Sequence, residues 1–312
     1  MSIISLIIIY YGDAKLLWNL LDSLERHPDK ELFDEVIVVN NGLTLDEKNH
    51  AELERYKALP VQVVNNPQKS YASGLNRGAV SARGDILIIS NNDVEWLPNS
   101  SIQPLLDRAT EDKTGIVGPQ LVYPDGKWQR SYGSFPSVRS ALVSVMMLDS
   151  FIHFIRARQF RLDNKKNSKH VDYIDGAFMC IRRDCFQEIG GFDENFQFYS
   201  EDADFCLRAH KVGWRVLFDP RVRIVHLRGA SSTKKALTKY TRFLLNAQLH
   251  FVKTHYGQLY EHIYRHLIKF AFLERVILYH HIAKFYHSSQ WQERAEEAKI
   301  RYVAIRGISN NS

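Results

Sequence analysis

The chain has 312 residues, of which 45% are hydrophobic and 24% charged, the profile of a soluble globular protein with room for one large domain and an appendage, or for two modest domains. No apolar run reaches the roughly 18 residues that a membrane-spanning helix needs, which argues against an integral helical membrane protein. The net charge of +6 is uneven: residues 1–232 carry 28 basic against 30 acidic side chains, and residues 233–312 carry 13 against 5. A basic tail on a near-neutral body suits an anionic partner, phospholipid or nucleic acid, or is a solvated helical face.

The opening run MSIISLIIIY has no basic leader and no small-residue cleavage site, and reads as a buried first strand rather than a signal peptide. Leu16, Leu17, Leu20, Leu21 and Leu24 then repeat at helical spacing within residues 14–26. DEVIVV is a second strand, residues 45–59 are helical, VQVV is a third strand, residues 71–82 are helical again, and DILIIS is a fourth strand. Apolar strands alternating with helices imply a parallel sheet covered on both faces. Ligands of such sheets bind beyond the carboxyl ends of the strands, so the residues just after Tyr10, Val39 and Ser90 carry most weight.

The second half has another character. LVYPDGKWQ reads as a hairpin with a Pro-Asp-Gly turn, residues 155–170 as a polar, basic, mobile loop, and VDYIDGAFMCIRR as a return to strand. From Ser232 onward the composition is helical, aromatic and basic. Cys180, Cys185 and Cys206 are odd in number, lack metal-binding spacing and sit among apolar residues, as free thiols buried in a protein of the reducing cytoplasm would.

Two acidic sites and one histidine stand out. In FYSEDADFCLRAHKVGW, Ser200 is suited to cap a helix that starts at Glu201 and ends before Gly213. Asp204 has Arg208 four residues on and reads as a helical ion pair. Asp202 has no local cation; it is either an N-terminal helix residue stabilised by the dipole or a general base. Asp93, after the fourth strand, is suited to a divalent cation on a diphosphate, or to an Asx turn. His226 ends the strand RVRIVH and is either structural or a ligand.

Taken in order, these features resemble the family 2 glycosyltransferases of the GT-A fold, and within them the bacterial rhamnosyltransferase-like group. The stretches that carry the resemblance are ARGDILIISNNDVEWLP, GAFMCIRRDCFQEIGGFDENFQFYSEDADFCLRAHKVGWRV and HLRGAS. The resemblance implies an α/β fold with a mostly parallel Rossmann-like sheet flanked by helices. It divides the chain into a catalytic domain over 1–232, with a nucleotide-sugar half to about 98 and an acceptor half over 99–232, and a basic helical extension over 233–312. The implied enzyme is an inverting, metal-dependent glycosyltransferase of bacterial surface glycan synthesis; a cytoplasmic location is expected, and a peripheral one on the inner membrane face only if the basic tail binds lipid.

Carried over by position, Asp202 is the base, with Glu201 placing the acceptor or tuning that base. Asp93 and His226 hold Mg²⁺ or Mn²⁺, and Tyr11, Asn40, Asn76, Asp85 and Asn92 bind the nucleotide sugar. Asp175, Gly176 and Ala177 line the acceptor or sugar pocket. The donor is a nucleotide-diphosphate sugar, dTDP-rhamnose as first guess and a UDP-sugar as second, and the acceptor a glycan or a lipid-linked sugar. Nucleic acid is not expected as a partner; residues 233–312 either lie on an anionic membrane surface or pack as helices on the catalytic domain. The chain departs from the family pattern where Asn40 replaces an aspartate that contacts the nucleobase, where Tyr11-Gly12 replaces Tyr-Asn, and where Asn91-Asn92-Asp93 has one acid in place of two. Two rival readings are a nucleotide-sugar-binding protein without turnover and a sugar-phosphate nucleotidyltransferase. The second needs a glycine-rich phosphate loop after the first strand, where YYGDAKLLW stands instead.

Overall fold

The computed structural model describes residues 2–41, 52–53, 55–148, 151–152, 155, 158, 167–196, 198–227 and 234–308. Strand β1 (Ile4–Tyr10) is buried along its whole length. Helix α1 (Ala14–Glu25) opens on Asp13, whose carboxylate accepts from the Lys15 N–H, and it buries Leu17, Leu20, Leu21 and Leu24 in the core shared with β1. Each of those leucines contributes about 2 kcal/mol through the area it removes from water. Strands β2 (Glu35–Asn40) and β3 (Val61–Asn65) follow. The helix expected over 45–59 falls mostly on residues outside those described.

Helix α2 (Tyr71–Ser81) starts at Ser70, whose hydroxyl accepts from the Ser73 N–H. It lies so close to the sheet that a Cβ on Gly78 would come within 2.4 Å of Ile7 Cγ2, so only glycine fits there. Strand β4 (Ile86–Asn91) then pairs with the free side of β1. The chain continues through β5 (Val94–Trp96), α3 (Gln103–Ala109), β6 (Thr114–Val122), β7 (Tyr132–Gly133) and α4 (Val138–Val145). After β8 (Lys169–His170) and β9 (Tyr173–Ile174) come β10 (Phe178–Arg182), α5 (Arg183–Ile189), α6 (Glu201–Lys211) and β11 (Arg215–His226).

Among the described residues the main sheet runs β3-β2-β1-β4-β10-β6-β11-β5, with β8 on β11. The strands β3, β2, β1 and β4 are parallel, as their apolar sequences imply. Beyond β4 the sheet is mixed: β10 runs antiparallel to both β4 and β6. An apolar run encodes burial on both faces but not strand direction, so the reversal had no signature. The hairpin in LVYPDGKWQ forms, with Tyr123 N–H donating to the Lys127 carbonyl and Gly126 at φ +74° in the turn. The mobile loop expected over 155–170 lies largely outside the described residues. The three cysteines are free and buried, and burial pushes their thiols upward.

The chain forms two compact units. One comprises Met1–Ser134, Arg161–Gln197 and Glu201–Arg228; the other comprises Phe135–Phe160, Phe198–Ser200 and Gly229–Ser312. In the second unit three long helices, α7 (Lys234–Tyr256), α8 (Gln258–Tyr286) and α9 (Ser289–Arg306), pack together, and α4 packs on α8. The inward face of α8 carries two buried arginines. Arg265 bonds Glu261 and the Ile308 carbonyl at 2.8 and 3.0 Å, and Arg275 donates to the carbonyls of Ala271 and Ser144. Among the described residues no helix is long and apolar enough to cross a membrane.

Candidate active site

The strand order reverses between β1 and β4, since β2 and β3 lie on one side of β1 and β4 on the other. A crevice at that point, outside the carboxyl ends, is where α/β sheets of this kind bind ligands. Asn92, buried just past β4, spans it by donating to the Tyr11 carbonyl at 3.2 Å. The Tyr11 side chain is 61% exposed. Beside it Asn40 ends β2, 9% exposed, and donates to Asn65 Oδ1 at 3.1 Å. Its own Oδ1 has no partner among the described residues. A buried acceptor left this way is costly unless a ligand supplies a donor.

The segment Asp175-Gly176-Ala177 joins this crevice to the acidic helix. The Ala177 carbonyl accepts from the Asn91 N–H at 3.0 Å, and the Ala177 N–H donates to Asp175 Oδ1 at 3.2 Å. The Gly176 N–H donates to Asp202 Oδ2 at 3.0 Å, while the Ala203 N–H holds Asp202 Oδ1 at 2.7 Å. Both oxygens of Asp202 are therefore aimed by backbone amides. Burial raises Asp202 to about 6; the nearby Asp175 charge adds to this, and the two amides and Arg130 oppose it. Glu201 is buried and its Oε2 has no partner among the described residues. Burial, and then the Asp202 charge, push Glu201 well above the carboxylate range, so Asp202 ionises while Glu201 keeps its proton.

The helix that presents this pair differs from expectation at its start. Tyr199 and Ser200 have φ of +71° and +65°, so Ser200 is in the left-handed region rather than the extended geometry of a side-chain cap. Asp204 follows expectation: Arg208 bonds its Oδ2 at 2.7 and 2.8 Å and also holds the carbonyls of Ile189 and Gly191.

Asp93 and His226 meet on neighbouring strand ends. His226 pairs with Val94 across β11 and β5, and its Nε2 lies 3.3 Å from Asp93 Oδ1. Its other ring nitrogen lies 2.6 Å from Gln129 Oε1. Among the described residues no group of three or more His, Cys, Asp or Glu side chains converges on a metal site. One carboxylate and one imidazole at this distance still fit a divalent cation, provided that diphosphate oxygens and water complete the shell.

Two expected site residues do not join this cluster. Asp85 precedes β4 and its carboxylate caps the Ile3 N–H at 3.0 Å; in a parallel sheet that is the amino end, a full strand away from the crevice. Asn76 has both ends of its amide engaged by the 192–194 loop, with the N–H and carbonyl of Phe192 and with Glu194; it is a bracket for that loop.

Tyr71 was not expected at the site. Its hydroxyl lies 2.6 Å from Asn91 Oδ1 and 2.9 Å from the Gly176 carbonyl. Burial, then the charges of Glu201, Asp202, Asp175 and Asp93, push it well above its ordinary value, so it remains a neutral donor. The signal was its place at the first turn of α2, on the carboxyl side of the sheet. Gln129 and Arg130 belong here as well, and nothing local to the hairpin marks them.

A mixed sheet with its switch point at β1/β4, covered by helices, is a GT-A architecture. The sequence model for Glycosyl transferase family 2 matches residues 5–190, and that for Glycosyl transferase family group 2 matches residues 131–292; the chain belongs to the family 2 glycosyltransferases and is an enzyme of that family. An N-acetylglucosaminyl-diphospho-decaprenol L-rhamnosyltransferase of Mycobacterium tuberculosis is 26% identical over 247 residues, 74% of this chain and 78% of the relative. An O-antigen biosynthesis protein of Myxococcus xanthus is 29% identical over 245 residues, 75% of this chain but 18% of that protein. Among solved structures, a mannosyltransferase from Pyrobaculum calidifontis with GDP-Man and Mn²⁺ aligns over 98% of this chain and 86% of its own. Its TM-score is 0.64 at 14% identity, a likeness of fold.

Proposed function

We propose that the enzyme transfers a sugar, with inversion, from a nucleotide-diphosphate donor to a lipid-linked or polysaccharide acceptor. The observation that carries this reading is the cage around Asp202, a buried carboxylate whose two oxygens are fixed by the Gly176 and Ala203 amides at 3.0 and 2.7 Å. A base must be aimed before it is useful, and its affinity for protons should lie near the working pH. Asp202, raised to about 6, meets both conditions.

In this reading Asp202 takes the proton of an acceptor hydroxyl as that oxygen attacks the anomeric carbon. The bond from that carbon to the diphosphate oxygen breaks on the opposite face, so the configuration inverts. Protonated Glu201 has a donor to offer where Asp202 has only acceptors, which suits it to hold another acceptor oxygen. Tyr71 fixes Gly176 from its carbonyl side. Asp93 and His226 are the residues that would hold Mg²⁺ or Mn²⁺; a bound cation would offset the charge of the leaving diphosphate. Asn40 Oδ1 is suited to an N–H on the nucleobase.

Relatives named as rhamnosyltransferases support dTDP-rhamnose as the first donor to test and a lipid-diphosphate sugar as the first acceptor. The second unit supports attachment to an anionic membrane, because Ile263, Phe270, Ile277 and Phe285 of α8 are 41 to 76% exposed and the tail is basic. The test is a thermal-shift screen of dTDP- and UDP-sugars with Mn²⁺, followed by transfer to a polyprenyl-diphosphate sugar. Product with inverted anomeric configuration is expected. A donor that binds and is never transferred or hydrolysed would make this a nucleotide-sugar-binding protein without turnover.

A further inference from the structure

We propose that Gln129 is a positioning residue that holds His226 in the tautomer whose Nε2 lone pair faces Asp93, so that the Asp93–His226 pair is set to receive a cation before any donor arrives. This rests on the reading of that pair as cation ligands, and the experiment below separates the two.

The argument follows from which atoms can donate. Gln129 is buried, 1% exposed. One end of its amide lies 3.0 Å from the His226 backbone carbonyl, and the other lies 2.6 Å from His226 Nδ1. A carbonyl oxygen only accepts, so the end that faces it is the NH₂ group; the end that faces the ring is then the oxygen. An amide oxygen also only accepts, so Nδ1 carries the ring hydrogen. A neutral imidazole has one N–H, and its Nε2 is then a bare lone pair, 3.3 Å from Asp93 Oδ1. Two acceptors that face each other at that distance repel unless a cation or a second proton lies between them.

Gln129 has no freedom to yield. Its N–H donates to the Leu121 carbonyl at 3.1 Å, and its own carbonyl accepts from Gln120 Nε2 at 2.7 Å and Ser131 Oγ at 3.0 Å. The hairpin that includes Gly126 brings it to a histidine 97 residues away. Metal-bound histidines commonly donate their second N–H to such a partner, and loss of the partner typically weakens metal affinity 10- to 100-fold. Here the two bonds from one side chain, to the ring and to the carbonyl of the same residue, also fix where the ring stands. Neither glutamate, which lacks the NH₂, nor methionine could do both.

The test uses the full-length protein and two measurements that do not involve turnover. Nitrogen-15 NMR of the histidine rings, without divalent cation, reports the tautomer of His226, assigned with His226→Ala. Mn²⁺ titration, followed by the EPR signal of the free ion, is made with Mn²⁺ alone and with dTDP or UDP present. The expectation is an Nδ1–H tautomer in wild type, a mixed population in Gln129→Met, and Mn²⁺ affinity 10- to 100-fold lower in that variant. In a His226→Ala background Gln129→Met should cost nothing further, because the two act as one unit. An Nε2–H or doubly protonated ring in wild type overturns the proposal, as does unchanged Mn²⁺ affinity in Gln129→Met or a further loss in the His226→Ala background. Wild-type protein that has the Nδ1–H tautomer yet binds no Mn²⁺ discards the cation reading and with it the positioning role. If Gln129→Met does not fold, the wild-type tautomer alone decides.

Discussion

As the proposed base, Asp202 is in conflict between what folding favours and what the reaction would need. Burial disfavours its charge, and a base must carry that charge. Asp202→Asn is expected to lower turnover by roughly 10²- to 10⁴-fold with little change in donor affinity, because the amide keeps the shape and loses the proton acceptor. Near-normal turnover in that variant would shift the role to Glu201. The acid limb of the wild-type rate should rise through pH about 6, where Asp202 ionises, and be absent from the residual activity of the variant. The sign for stability runs the other way. A carboxyl raised in the folded state favours folding when protonated, and that advantage is lost as pH rises from its ordinary value of 3.8 through about 6. The melting temperature of Asp202→Asn relative to wild type should therefore climb between about pH 4 and 7 and level off above, and a flat difference would mean that Asp202 is not strained by its charge. At Asp93, replacement by Ala should weaken donor binding only when Mn²⁺ is present. Equal donor affinity in both proteins across a Mn²⁺ titration would remove Asp93 from the site.

The element that carries the proposed base is α6, on which residues two apart face opposite ways. Asp202 is turned to Gly176, while Asp204, 1% exposed, is turned to Arg208 and the loop carbonyls behind it. In the proposed mechanism the first serves the reaction, and the second anchors the helix. Arg208→Met should cost about 3 kcal/mol in urea unfolding, since it leaves a buried carboxylate without its cation. Adding Asp204→Asn should recover part of that loss, because the two residues form one interaction. Independent, additive losses would show that the pair does not anchor the helix.

On the scale of the whole molecule, the proposed membrane contact rests on charge and apolar exposure in the second unit. In the sequence Arg265, Lys269 and Lys284 lie beside the apolar stripe of α8. Arg265 instead turns inward to Glu261 and the Ile308 carbonyl, so it adds nothing to a surface potential. The stripe itself is outward: Phe270 and Phe285 are 55 and 76% exposed. Co-sedimentation with vesicles of anionic phospholipid is expected, and little with neutral vesicles. Binding should fall as salt rises, since each surface cation contributes about 1 kcal/mol through a screened field. Phe270→Glu with Phe285→Glu should abolish it without loss of donor binding. Sedimentation indifferent to lipid charge and to these substitutions would leave the face without a membrane role.

Some of this was legible in the sequence because it rests on local physics. Alternation of apolar strands and helices carries the parallel half-sheet, and the carboxyl-end rule carries Asn92, Asp93 and their neighbours to the crevice. The spacing of Asp204 and Arg208 is itself their contact. The rest depended on residues distant in the chain. Asp85 looked like its neighbours in DILIIS, yet its position at the amino end of β4 sets it a strand's length from the site. Asn76 was expected to bind the nucleotide sugar, and only its bonds to the 192–194 loop reveal it as a bracket. The direction of β10, the inward turn of Arg265 and the convergence of Tyr71 and Gln129 on Gly176 and His226 have no local signature. Hydrogen bonds and buried charges choose partners by distance in space, and the sequence records distance only along the chain.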